Sequence, residues 1–431
     1  MSNIARKSLE TLVARVGMQL FAGVGSIVIA RTLYAEGRGG FVYAGSMLFL
    51  ALMAFDGHYN AVLWQYARRG LSASAVMHVM TLVVIIISVP IVAGLLIVGL
   101  RVPSQGGLLF VALALPFAIF SQSAAGLFLA DGDVWPVNIC AMFPTIGAAL
   151  LYVPLILFVE RRLWVALAVW AGSYVAGALY TIVALRRYRG TAPNVDLKAL
   201  AKEQIRFGSQ ACLTSLVQFL DIRVGIFMVM YMLGSAALGV YSVGMAIGGF
   251  IWLLSSAMIN PALKDIGGKD HDRALDVTVK CMRHSFALVL VASVLAAALA
   301  RSVVPLVYGP AFSYGAVVTV ALLPGIIAYS MMPALTAFFS QQLGQPRVPF
   351  YFSALSVLVC ALIIVLTLPH YGIIAASIAT SVSYSLAFVA AVIYFCRRTG
   401  TAWGNLFGFS MDDLQAYRSL LASVAGAIRI R

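Results

Sequence analysis

Long apolar runs, broken by short charged or Pro/Gly stretches, recur along the whole chain. The windows between those breaks predict twelve spans, near 9–31, 40–65, 74–100, 106–130, 134–159, 163–185, 208–232, 237–262, 283–306, 314–341, 347–368 and 372–395. Each is long enough to cross a hydrocarbon core of ~30 Å at ~1.5 Å rise per residue. A lipid-facing backbone must satisfy its own hydrogen bonds, and the runs lack the strict alternation of a barrel strand, so all twelve are read as helices. The expected fold is therefore all-α: a polytopic membrane protein with twelve transmembrane helices. The polar link RRYRGTAPNVDLKALAKEQIR divides the chain into residues 1–187 (an N-lobe, helices 1 to 6), 188–205 (a cytoplasmic linker), 206–396 (a C-lobe, helices 7 to 12) and 397–431 (a tail).

Two halves of six spans invite a search for an internal repeat. An ungapped shift of 200 residues superposes Val24 with Val224, Gly25 with Gly225, Leu33 with Leu233, Gly39 with Gly239, Asn60 with Asn260 and Leu63 with Leu263. The identities are few, but glycines precede spans two and eight at equivalent places, and asparagines end them. Both halves would begin on the same side, so the two lobes would be related by a pseudo-two-fold axis along the membrane normal. The tail carries Ser410 and Asp413 as a capping box, then Leu414, Tyr417, Leu421 and Val424 on one helical face. It is read as an amphipathic helix on the cytoplasmic surface.

Composition agrees: of 431 residues, 62% are hydrophobic and 10% charged, which excludes an ordinary soluble domain. The net charge of +14 does not point to nucleic acid, because the basic residues sit in loops beside apolar spans. Alternate loops and the termini hold 21 of the 29 Lys and Arg residues, the opposite set only Arg31, Arg38, Arg101, Arg161, Arg162 and Arg301. Both termini are accordingly placed in the cytoplasm. The five cysteines are scattered and read as small buried hydrophobes, with no metal site and no disulfide. No serine triad, paired loop carboxylates or metal-ligand cluster suggests an enzyme, and no catalytic residue or bound cofactor is expected beyond a coupling H+ or Na+.

Charges inside spans carry the most information, since each costs roughly 2.5 to 3.5 kcal/mol at a helix centre. Four qualify: Arg15, Asp56, Asp221 and Arg223. Arg15 and Asp56 fall at a common depth in spans one and two. Two readings fit them: a structural ion pair, or an anion contact (Arg15) beside a charge-balancing or ion-coupling acid (Asp56). The polar run DGHYN adds His58 and Asn60 as candidate lining groups. Asp221 and Arg223 lie about 200° apart around a helix and do not pair with each other. Gln218 shares the Asp221 side, which suggests a hydrated face, while Arg223 points elsewhere.

Three stretches carry a family resemblance. IARTLYAEGRGGFVYAGSMLFLALMAFDGHYNAVLWQYARR resembles the first two helices of bacterial polysaccharide flippases of the multidrug/oligosaccharidyl-lipid/polysaccharide exporter superfamily. LGVYSVGMAIGGFIWLLSSAMINPAL resembles their helix eight, and PLVYGPAFSYGAVVTVALLPGIIAYSMMPALTAFFSQQLGQPRVP their helices nine to ten. The resemblance, over residues 1–398, implies a twelve-helix, two-lobed transporter of the bacterial inner membrane that alternates access by rocking. It further implies a substrate, undecaprenyl-diphosphate-linked oligosaccharide for O-antigen, capsule or exopolysaccharide, moved from the cytoplasmic to the periplasmic leaflet. A polysaccharide polymerase or glycosyltransferases would be its partners, besides the lipid bilayer. Lipid II flippases of the superfamily usually have fourteen helices, more than this chain supplies. One departure stands out: the family's helix seven often reads Arg-x-Asp, whereas here Arg223 precedes Val224 and Gly225 and the acid sits at Asp221. The alternatives are an ion-coupled multidrug exporter of the same superfamily and, from another class, a membrane-embedded glycan polymerase or acyltransferase.

Overall fold

The computed structural model describes residues 3–67, 71–102, 105–188 and 196–408. The expected amphipathic tail helix lies outside them. In chain order the α-helices are α1 (Asn3–Met53), α2 (Asp56–Ala67), α3 (Ala73–Arg101), α4 (Gly107–Ala130), α5 (Trp135–Met142), α6 (Ala148–Phe158), α7 (Leu163–Ala184), α8 (Leu197–Ile266), α9 (His271–Tyr308), α10 (Tyr314–Tyr329), α11 (Met332–Ala337), α12 (Arg347–Tyr371), α13 (Ile373–Thr399) and α14 (Trp403–Phe407). No strand occurs among the described residues. Among the described residues, ten helical stretches are long and apolar enough to cross a membrane, which makes this a multi-pass membrane protein.

The twelve predicted spans and these ten stretches differ at two places, and the reason is local. Spans one and two were expected to part near residues 32–39, and spans seven and eight near 233–236. The backbone instead remains helical on both sides of a single residue in each case. Tyr34 (φ 56, ψ −164) breaks α1, and Gly234 (φ 86, ψ −178) breaks α8. These two residues stand at the same 200-residue offset that aligned the halves of the sequence. Glycine adopts the positive φ at 234 without a Cβ penalty, whereas Tyr34 is the one non-glycine residue at positive φ among those described.

The glycines five residues beyond each break approach one another. A Cβ on Gly39 would collide with the Ser235 carbonyl oxygen, and one on Gly239 with the Ala35 carbonyl oxygen. The contact is reciprocal under the 200-residue shift: 39 meets 235 as 239 meets 35. Backbone touches backbone here, so only glycine fits.

The helices fall into two compact units. The first comprises residues 1–243, 302–318 and 363–376, and the second 244–301, 319–362 and 377–431. The first unit's core runs through Ile29, Leu48, Phe55, Leu115, Ile119, Ile156 and Leu167. Arg31 anchors α1 to the C-terminal end of α9, its Nε donating to the Val307 carbonyl at 2.8 Å and its Nη2 to that of Leu306. Cationic donors on the last carbonyls of a helix satisfy groups that the helix itself leaves unpaired. In the second unit, Ile251, Val289 and Leu323 pack together, Trp252 meets Tyr329 edge-on at 5.4 Å, and Tyr329 stacks on Tyr384 at 4.2 Å. Apolar side chains also cover the outside: on α3, Ile85, Ile86, Val89, Ile97 and Leu100 are exposed. An apolar exterior on a helix with an apolar core is what lipid contact requires.

Candidate functional site

The break at Tyr34 gives α1 two limbs that diverge, and both line one cavity in the first unit. Ala22, Ser26 and Ile29 contribute from the limb before the break, and Arg38, Phe41, Val42, Gly45, Ser46 and Phe49 from the limb after it. A π-helical turn at Phe143–Gly147, with Pro144 in its first turn, joins α5 to α6 and brings Pro144 and Thr145 to the same space. Proline lacks the N–H that would close a regular turn there, and such π turns recur at functional sites. Tyr152 of α6, Trp170 of α7 and Arg223 of α8 complete the wall.

The cavity holds about 260 Å³. Pockets for drug-sized ligands run roughly 300–1,000 Å³, so this space takes a fragment, such as a phosphate group with one ring, rather than a whole oligosaccharide. Among the described residues its lining carries two guanidiniums, from Arg38 and Arg223, and no carboxylate. Hydroxyls of Ser26, Ser46, Thr145 and Tyr152 add neutral hydrogen-bonding groups. Gly25 makes room for one of them, since a Cβ there would overlap the Tyr152 hydroxyl. Phe41 packs against Tyr152 at 5.9 Å and Trp170 at 6.0 Å, giving the cavity an aromatic side. Two cations, several hydroxyls and an aromatic wall suit a ligand with an anionic group next to a polar ring.

Of the residues expected to form a site, only Arg223 among those with described side chains lies on this cavity. Arg15 lies in α1, its side chain outside the described residues. Asp56 begins α2, where the positive end of the helix dipole favours a carboxylate. It accepts a hydrogen bond from the Ser215 hydroxyl at 2.6 Å and one from the Gln122 amide at 3.4 Å, which ties α2 to α8 and α4. Neighbouring backbones meet closely: a Cβ on Gly57 would strike the Gly208 carbonyl oxygen, and Cys212 donates to the Ala54 carbonyl at 2.8 Å. His58 is 3% exposed, its ring against Phe55 and the Gly208 backbone. Asn60 is exposed, Gln218 half-buried and Asp221 buried. Asp56→Asn is expected to leave thermal stability within about 1 kcal/mol, because the amide oxygen still accepts from Ser215. If the charge serves transport, the same variant loses transport activity in reconstituted vesicles; unaltered transport would remove Asp56 from the mechanism.

Arg38 is the residue that linear reading did not single out. In sequence it looks like one more loop cation between two apolar spans. Only the helical continuation past Tyr34, with glycine at 37, 39 and 40, carries it into the interior, where it is 2% exposed. No feature of the linear string separates it from Arg31 or Arg101.

No family model matches the chain, and no curated protein matches it. Solved structures do. The chain is similar to the lipid II flippase MurJ in an inward closed conformation, with a TM-score of 0.77 over 92% of this chain and 89% of that one, at 11% identity. It is also similar to an inward-facing multidrug resistance MATE family transporter of the MOP superfamily, at a TM-score of 0.65, 14% identity, and 88% and 94% coverage. A third similar structure is the MATE multidrug transporter DinF-BH in complex with R6G, at 0.59, 17% identity, and 94% and 96% coverage. The chain thus has the fold of the MOP-superfamily transporters.

Proposed function

We propose that this protein is a flippase of the bacterial inner membrane that moves undecaprenyl-diphosphate-linked oligosaccharide from the cytoplasmic to the periplasmic leaflet by alternating access. The observation that carries the reading is the cavity bounded by Arg38 and Arg223 with no acid among its described lining residues, in a fold shared with a lipid II flippase. A diphosphate and its sugars cross hydrocarbon only if the path replaces their water, and arginine forks bind phosphate oxygens in a fixed geometry. The prenyl tail stays in lipid. In this reading the chain crosses the membrane twelve times, in two six-helix lobes with both termini cytoplasmic. The shared offset of the Tyr34 and Gly234 breaks supports the repeat. Arg15 and Arg223 contact the anion, His58, Asn60 and Gln218 serve the polar path, and Asp56 and Asp221 balance charge or couple H+ or Na+. Polymerase and glycosyltransferases supply and consume the substrate.

The second reading is an ion-coupled multidrug exporter, favoured by the likeness to MATE transporters. Two guanidiniums and no carboxylate among the described lining residues disfavour a cationic drug in the cavity, which ranks this reading second. One experiment separates them: the purified chain in proteoliposomes is given a fluorescent undecaprenyl-diphosphate oligosaccharide, and its appearance in the opposite leaflet is followed by chemical quenching. Flipping above protein-free vesicles is expected. No flipping, together with ion-driven uptake of a drug dye, would establish the exporter instead.

A further inference from the structure

Arg38 does two things at once. Its guanidinium borders the cavity, and the same group is held by four hydrogen bonds, two to Ser26 on the cavity wall and two to Ser242. Nε donates to the Ser242 hydroxyl at 2.8 Å, Nη2 to the Ser242 carbonyl at 3.4 Å, and Nη1 to the hydroxyl and carbonyl of Ser26 at 2.7 and 2.9 Å. The Tyr308 ring lies 4.7 Å from Cζ. Every one of these acceptors is neutral, and among the described residues no carboxylate pairs with this buried cation. Ser26 belongs to the first limb of α1, Ser242 follows Gly239 on α8, and Tyr308 ends α9. One side chain therefore ties three helices together beside the point where the backbones of 35 and 39 meet those of 239 and 235.

We propose that Arg38 is a ligand-sensing latch: an anionic phosphate group entering the cavity draws the Arg38 guanidinium off Ser242, and this releases the reciprocal contact between the Gly39 and Gly239 segments. The chemistry follows from the acceptors. A phosphate oxygen brings a full negative charge and a fork-matched pair of acceptors, which a serine hydroxyl does not, and it neutralises a buried cation that has no carboxylate partner among the described residues. A neutral ligand of the same shape offers no such exchange, so the anion and not mere occupancy opens the contact. Arg223, which lines the same cavity, shares the anion and holds it in place. The inference rests on the flippase reading for the identity of the anion, a prenyl diphosphate; the tie through Ser26, Ser242 and Tyr308 does not.

Glu36 and Ala236 are exposed, flank the contact and are equivalent under the 200-residue shift, which makes them suitable for paired nitroxide labels in a chain whose five native cysteines are replaced by alanine. The distance between labels is measured by pulsed electron resonance in vesicles, alone, with farnesyl diphosphate, and with farnesol. The unmodified latch is expected to give one short distance, to gain a longer one with farnesyl diphosphate, and not to respond to farnesol. Arg38→Ala should show the longer distance without ligand, the open-to-closed ratio rising by about tenfold, with no further response. Ser242→Ala, which keeps the charge and removes one acceptor, should open partly and respond to less ligand. Arg223→Ala should stay closed and respond weakly. A short distance and full response in both Arg38→Ala and Ser242→Ala would overturn the latch. Radiolabelled farnesyl diphosphate bound by the parent without any change in distance would overturn the coupling while leaving the flippase reading intact. No binding by the parent would instead defeat the flippase reading and the ligand half of the proposal, whatever the Arg38→Ala distances show.

Discussion

If the protein is the flippase proposed above, Arg223→Ala is expected to cut export of surface polysaccharide roughly tenfold to a hundredfold while the protein still inserts at normal abundance. The figure follows from losing hydrogen bonds to a charged ligand, about 1.5 to 3 kcal/mol, converted at about 1.4 kcal/mol per tenfold. Arg223 of α8 lies on the cavity wall, and its side chain is half-buried. Arg223→Lys keeps the charge but not the planar fork, so its export should fall between the two. The check is polysaccharide on the cell surface measured against the amount of protein in the membrane. Full export by Arg223→Ala at normal abundance would remove this residue from the path. The same loss is expected of Arg15→Ala.

Gly39→Val and Gly239→Val should each abolish transport and also alter the protein's thermal behaviour. At both positions a side chain would meet a backbone carbonyl, of Ser235 or Ala35, and no rotamer change relieves a clash with backbone. The segments must move apart, at an overpacking cost of about 1 to 3 kcal/mol. Because the two glycines face one another across a single contact, the double variant should cost little more than either single one. Thermal unfolding in detergent and transport in vesicles would test this. Additive losses in the double variant would show that the two positions do not share a contact.

Much of the architecture was legible in the chain. The long apolar runs required helices because lipid offers no partner to a bare backbone, but the interruptions inside spans two and ten, at residues 54–55 and 330–331, were not foreseen. The 200-residue offset was visible as a handful of identities, Gly39 with Gly239 among them, yet its meaning was not. A linear comparison shows that glycine stands at both positions; it does not show that each occupies the space the other's Cβ would need. The separations expected near residues 34 and 234 do occur, but each is a single residue at positive φ between two helical limbs rather than a loop, a compactness that leaves no compositional trace when one of the two is a tyrosine.

The site divides the same way. Arg223 was singled out because a charge inside an apolar run is costly and therefore conspicuous. Arg38 was not, since four flanking residues out of an EGRGG turn look like a loop, and burial is a property of what packs around a residue. Asp56 was found for its charge, but its hold on Ser215 and Gln122 spans α2, α4 and α8 and depends on how those helices lie together. Hydropathy and charge are local quantities, so the sequence alone determined that this chain spans the membrane and where its rare intramembrane charges fall. Which of those charges share a cavity, and that a cation from an apparent loop joins them, was decided by the bend of α1 and the packing of α5 to α8 around it, contacts between residues far apart in the chain.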